Sequence, residues 1–192
     1  AGFAVGVVDR RGIIEGKGIR PGDALVGLAS SGLHSNGYSL ARKIVFEVLG
    51  KRPHQRIPEW KSTAVEELLR PTRIYVRPVL SLLRKMRVLG MAHITGGGIP
   101  GNLPRSLPRG LTAVVDRSSW EVAPVFRPIC GAARLTEAEA FRTFNMGIGM
   151  VVAVPAGAAD AAQSILEAEG EKVFAVGQVV TADRPDAPVA FI

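Results

Sequence analysis

Short apolar runs that read as strands alternate along this chain with stretches whose apolar residues recur at helical spacing, and that alternation confines it to an αβ layer architecture. The run Ala24–Ala29 reads as a buried strand. From Tyr38, residues Leu40, Ile44, Val45, Val48 and Leu49 recur at helical spacing, Arg42, Lys43 and Glu47 fall opposite, and Gly50 supplies a stop. Thr63-x-x-Glu66 and Thr136-x-x-Glu139 match the capping box, in which threonine and glutamate satisfy each other's backbone donors at a helix start. Val76, Val79, Leu80, Leu83 and Met86 line a further helix. Residues 122–132 read as another, and Ala158, Ala161, Ala162, Ile165 and Leu166 as a last one closed by Gly170. Strands are expected at 91–94, Leu111–Val115, 150–154, 173–177 and 188–192. Their crowding near the C-terminus favours a mixed sheet, hence an α+β fold, a mixed-sheet αβ sandwich.

Residues 3–8 are rich in β-branched side chains and run into the polar Asp9-Arg10-Arg11-Gly12, so they read as a strand leaving a sheet whose partners are not local. The glycine-rich stretch 16–22 then reads as a linker. The expected organisation is 1–15 as the last strand and linker of a neighbouring domain, and 16–192 as one domain.

A net charge of +7 raises the question of nucleic-acid binding, but the basic residues are scattered in pairs such as Arg10-Arg11 and Lys51-Arg52. Without a basic run or interleaved aromatics, no nucleic-acid face is expected. The apolar stretches are far shorter than the roughly 20 residues a spanning helix needs, so no membrane span is expected. Cys130 has no cysteine partner and the three histidines show no metal-ligand spacing, which points to a cytoplasmic chain without a metal site of its own.

Three segments could carry chemistry. Ser30-Ser-Gly-Leu-His-Ser-Asn-Gly37 joins the buried strand to the N-terminus of the strong helix, where unpaired N–H groups and the helix dipole favour an anion. Asn36 reads equally well as a helix cap. His34 would sit beside a bound anion as acid, base or charge stabiliser. The second segment, His93-Ile-Thr-Gly-Gly-Gly98, leaves a strand through a glycine loop with hydroxyl and imidazole groups. The third, Thr143-Phe-Asn-Met-Gly-Ile-Gly149, places Asn145 among small residues that permit close approach of a ligand or another strand.

The string from Gly32 to Ile44 resembles the signature of the aminoimidazole ribonucleotide synthetases, also called phosphoribosylformylglycinamidine cyclo-ligases. Pro71-Thr-Arg-Ile-Tyr-Val76, Ala92-His-Ile-Thr-Gly-Gly-Gly98 with Asn102-Leu-Pro104, and Arg142-Thr-Phe-Asn-Met-Gly-Ile-Gly-Met150 resemble the same family in the same order. The resemblance implies the C-terminal domain of that family and, in the whole enzyme, ATP-dependent closure of formylglycinamidine ribonucleotide to aminoimidazole ribonucleotide in purine synthesis. It further implies His34 as the catalytic residue, with Ser35, Asn36, Gly37, Thr95, Gly96, Gly97, Gly98 and Asn145 at the substrate. By the same resemblance ATP and Mg²⁺ are held mainly by an N-terminal domain absent from this chain, and the whole enzyme is a homodimer. The alternatives are a non-catalytic ribonucleotide-phosphate binding module, or another ATP-dependent member of the wider superfamily.

Overall fold

The computed structural model describes residues 3, 5–184 and 187–192. Its centre is a six-stranded sheet in the order β4-β6-β1-β7-β5-β8, formed by β1 (Ala24–Ala29), β4 (Gly90–His93), β5 (Leu111–Val115), β6 (Ile148–Val154), β7 (Val173–Thr181) and β8 (Val189–Phe191). Every pairing is antiparallel except β5 with β8, so the sheet is mixed, as the strand spacing predicted. A two-stranded ribbon, β2 (Arg56–Ile57) with β3 (Ser62–Thr63), lies apart from it.

Side chains alternate across a strand, and β1 shows what that does here. Leu25 joins the larger core, with Phe126, Phe141 and Phe144, while Val26 and Leu28 point into a second core on the opposite face. The first is capped by α1 (Tyr38–Arg42), α2 (Ala64–Leu68), α4 (Gly98–Asn102), α5 (Phe126–Ala132) and α6 (Glu137–Thr143). The second is capped by α3 (Val76–Lys85) and α7 (Ala159–Glu167), which pack on each other. A strand sandwiched this way must be apolar throughout, which is why Ala24–Ala29 was legible as buried.

Both capping boxes form, with Thr63 and Thr136 accepting from the backbone N–H of Glu66 and Glu139. Elsewhere the structure departs from the sequence reading. The helix from Tyr38 turns π-helical over Lys43–Val48. The connection at 51–61 contains part of the small ribbon rather than irregular chain alone. The expected long loop after Gly98 instead holds α4 and a 3₁₀ turn, Leu103–Ser106, because Gly97 adopts a left-handed conformation that opens a helix. α5 begins only at Phe126, after Pro124 has barred the preceding residue from helical geometry. Residues 3 and 5–8 form no strand and expose Phe3, Val5, Val7 and Val8, since the described residues give them no ladder; Ala4 lies outside the described residues.

Candidate functional site

The loop 30–37 leaves the end of β1 and is fastened from three directions. Asn145 is fully buried and donates through Nδ2 to the Gly32 carbonyl at 2.8 Å, while its Oδ1 accepts from Ser30 Oγ at 3.0 Å and the Gly147 N–H at 2.8 Å. Ser31 Oγ donates to the Pro71 carbonyl at 2.6 Å, and the hydroxyls of Ser35 and Thr72 pair at 3.0 Å. Tyr75 Oη donates to the Ala29 carbonyl at 2.7 Å, locking the strand end from which the loop departs. Asn145 was expected at the substrate; here both ends of its amide are engaged, it has no exposed surface, and it holds the loop.

His34 also differs from expectation. It is 3% exposed, adopts a positive φ of 56°, and accepts the Ser31 N–H on Nε2 at 3.0 Å. That bond occupies the lone pair of Nε2, so Nδ1 carries the proton of a neutral ring; Nδ1 is buried and has no partner among the described residues. Burial, followed by the electrostatic influence of the nearby His93 and Arg73 side chains, lowers the imidazole to about 4. His34 was expected beside a bound anion as acid, base or charge stabiliser; its ring is packed beneath the loop. Its neighbour Gly149 shows how tightly: a Cβ there would lie 2.0 Å from Tyr75 Oη and 2.5 Å from His34 Cε1.

Asn36 does not cap the helix; Gly37, in the left-handed region, occupies the position before α1. The Asn36 side chain is instead half-exposed and its Oδ1 lies 4.0 Å from where a Cβ on Gly96 would stand. The first glycine loop thus approaches the second. That second loop is organised by Asn102, which is buried, donates to the carbonyls of Gly98, Gly96 and Thr95 at 2.8, 3.2 and 3.3 Å, and accepts from Thr95 Oγ1 at 3.1 Å. Ser35, Gly96 and Gly97 are exposed, and Asn36, Gly37 and Thr95 half-exposed; Gly98 is buried against the carbonyls of Phe141 and Phe144.

Beside these loops an open cleft of about 450 Å³ is lined by Arg73, Ile74, Tyr75, Val76, Val79, Met91, His93 and Met150. Two of its lining rings, Tyr75 and His93, stand 6.0 Å apart between centroids, and the buried His34 ring lies behind them at 6.1 Å from Tyr75 and 6.4 Å from His93. Arg73 is fixed there by Glu171, Nε to Oε2 at 2.6 Å, and by the Gly170 carbonyl. Burial, and then the Glu171 charge, pushes the Tyr75 phenol well up, so it stays a neutral donor. Arg73, Thr72 and Tyr75 went unassigned in the sequence because nothing in their spacing ties them to residues 30–37; their segment stood out only through the family resemblance. With Arg73 neutralised by Glu171, the arrangement offers an exposed imidazole, hydroxyls and open glycine backbone, which suits a polar ligand. Among the described residues no group of three His, Cys, Asp or Glu side chains could hold a metal, so Mg²⁺ finds no ligand set there, and no helix is long and apolar enough to cross a membrane.

The family model described as AIR synthase related protein, C-terminal domain, matches residues 20–189. The phosphoribosylformylglycinamidine cyclo-ligase of Geotalea uraniireducens is 51% identical over 192 residues, 100% of this chain and 55% of that protein. That of Thermodesulfovibrio yellowstonii is 50% identical over 178 residues, 93% of this chain and 52% of the relative. The chain spans about half the length of the curated relatives it matches. Among solved structures, thiamine-monophosphate kinase of Stenotrophomonas maltophilia superposes with a TM-score of 0.63 at 16% identity, over 96% of this chain and 54% of that one. The hydrogenase maturation protein HypE of E. coli gives 0.56 at 20% identity, over 92% and 48%. At those identities the two share the fold alone, whereas the match over residues 20–189 settles the lineage: this chain belongs to the AIR synthase related protein family, through its C-terminal domain.

Proposed function

We propose that this chain is the C-terminal half of a phosphoribosylformylglycinamidine cyclo-ligase, and that it supplies one wall of the site where formylglycinamidine ribonucleotide closes to aminoimidazole ribonucleotide. The observation that carries the reading is the approach of the two glycine loops to one another at Asn36 and Gly96, beside a cleft lined by Arg73 and His93. In this reading Ser35, Asn36, Gly37, Thr95, Gly96 and Gly97 meet the ribonucleotide, while His34, Gly98 and Asn145 shape the surface behind them. ATP would phosphorylate the formyl oxygen and make it a leaving group; the substrate's amidine nitrogen then attacks the same carbon. Holding nitrogen and carbon together removes much of the entropic barrier, so positioning is this half's main contribution.

The residues described here lack a carboxylate set for Mg²⁺. ATP and Mg²⁺ would be held by the other half of the protein, and a cytoplasmic homodimer belongs to the same proposal. The test is direct. The full-length protein should convert formylglycinamidine ribonucleotide and ATP to aminoimidazole ribonucleotide, ADP and phosphate, whereas the 192 residues alone should show neither turnover nor ATP binding of native affinity. Robust ATPase activity in the 192-residue chain would contradict the assignment of the ATP groups to the missing half.

A further inference from the structure

We infer that His93, rather than His34, takes the proton released when the ring closes, and that His34 is a positioning residue behind it. The inference rests on the cyclo-ligase reading and deepens it.

The two imidazoles stand 6.4 Å apart but in opposite circumstances. In His34 the Ser31 N–H occupies Nε2, and the ring is 3% exposed. Taking up a proton there would break that contact inside the protein, with no path to return the proton to water. What the ring does do is fix its own backbone, whose φ of 56° a non-glycine residue adopts only when its surroundings hold it. His93 ends β4, held by its pairing with Met150, and its side chain is exposed and lines the cleft. Two residues later come Thr95 and Gly96, on the loop that approaches Asn36. The ionisable groups around His93 are His34 beneath loop 30–37, Tyr75 and Arg73 from the segment preceding α3, and Glu171, which neutralises Arg73 from the turn before β7. Tyr75 is committed to the Ala29 carbonyl and Arg73 to Glu171 and Gly170, which leaves His93 as the group able to accept and exchange a proton.

The step balances. As the amidine nitrogen bonds to the formyl carbon, the carbon–oxygen bond to the phosphate breaks and its electron pair leaves on phosphate. The nitrogen then loses one proton, which the unprotonated His93 ring accepts and passes to water through the open cleft. No electrons change hands.

The experiment compares His93→Ala, His93→Gln and His34→Ala in the full-length protein, with wild type beside them. Removing a positioned acid–base group typically costs about a hundred- to ten-thousand-fold. His93→Ala should lose kcat on that scale, keep KM within about threefold, and lose one ionisation from the kcat/KM pH profile. Added imidazole should restore part of the rate of His93→Ala, because the cleft is open, and none of that of His34→Ala. His93→Gln, which keeps the bulk of the ring but not its basicity, should be as slow as His93→Ala with an unchanged melting temperature. Wild-type kcat in either His93 variant, or imidazole rescue confined to His34→Ala, overturns the inference while leaving the cyclo-ligase reading standing. A wild type that forms no aminoimidazole ribonucleotide overturns that reading and this inference with it.

Discussion

Loop 30–37 is held by partners far away in the chain: Asn145 reaches Ser30 across 115 residues and Gly32 across 113, and Pro71 meets Ser31 across 40. The turn after β4 is held by Asn102, whose four bonds reach back no more than seven residues. Both loops carry glycines, yet the side-chain bonds that shape one are tertiary and those that shape the other are local. The first loop's geometry therefore depends on the packing of β1, β6 and the segment before α3, whereas the side-chain bonds of the second are local and its one tertiary anchor is Gly98 against the carbonyls of Phe141 and Phe144.

The comparison is broken most severely inside the second loop. A Cβ on Gly98 would stand 1.7 Å from the Phe141 carbonyl oxygen and 2.9 Å from that of Phe144, at a φ of 59°, and backbone cannot yield as a side chain can. Gly98→Ala should cost about 4 kcal/mol by denaturant unfolding. Gly96→Ala, two residues earlier, meets nothing nearer than Asn36 Oδ1 at 4.0 Å and should stay within about 0.5 kcal/mol. Similar losses for the two would mean that the loop does not pack against α6 as described.

Asn145→Ala comes next. It strands the Gly32 carbonyl and the Gly147 N–H in the interior, and buried polar groups left unpaired cost about 1–3 kcal/mol each, so a total near 3 kcal/mol is expected. The sharper readout is hydrogen exchange. Asn145→Ala should raise exchange across loop 30–37 and at Gly147, while Asn102→Ala should raise it only between Thr95 and Asn102. Spread of the Asn102→Ala effect to residues 30–37 would erase the distinction between the loops.

That distinction also explains what the sequence made legible. The elements set by local rules were readable: β1 from its unbroken apolar run, α7 from its periodicity, both threonine–glutamate caps from their spacing, and α3 as a helix though not in its buried face, since Val76 and Leu80 of the expected apolar face are exposed while Leu82 is buried. Local competition hid others, such as the π-helical turn at Lys43–Val48 and the helix that Gly97 starts inside what reads as a loop. At the site, the glycine loops announced themselves, but the roles within them did not. Whether Asn145 faces a ligand or a carbonyl, and whether His34 or His93 reaches the cleft, depends on contacts 40 to 115 residues apart that no local pattern encodes. Arg73 is the clearest case, since the partner that fixes it, Glu171, is 98 residues away.

Acid sharpens the contrast between the imidazoles. The fold holds His34 neutral, with its ionisation lowered from 6.5 to about 4, so the unfolded chain binds the proton first as pH falls. The stability this contributes is fully present above pH 6.5, erodes between 6.5 and 4, and is gone below. At 1.36 kcal/mol per unit the loss is bounded at about 3 kcal/mol, and residual compactness of the unfolded chain reduces it. Glu67, raised by burial, works in the opposite sense, so the comparison is best made against His34→Asn, which keeps Glu67. Urea unfolding at pH 7 and 4.5 should show a smaller acid loss for His34→Asn than for wild type. Equal losses would assign the acid sensitivity to another group.

The smallest effect tests whether the face shared by the two loops is the one a ligand sees. Ser35 is exposed, and among the described residues its hydroxyl pairs only with that of Thr72 at 3.0 Å, an exchange of one hydroxyl partner for water that should be worth less than about 0.5 kcal/mol. Ser35→Ala should therefore leave the melting curve in place while raising KM for the ribonucleotide in the full-length protein several-fold, since binding would lose a directed hydrogen bond that folding does not need. Asn145→Ala should do the reverse in proportion, with a large stability loss accompanying any change in KM. If Ser35→Ala shifts stability as much as it shifts KM, Ser35 belongs with the fastenings of the loop, and the ligand face narrows to the glycine backbone on either side of Asn36.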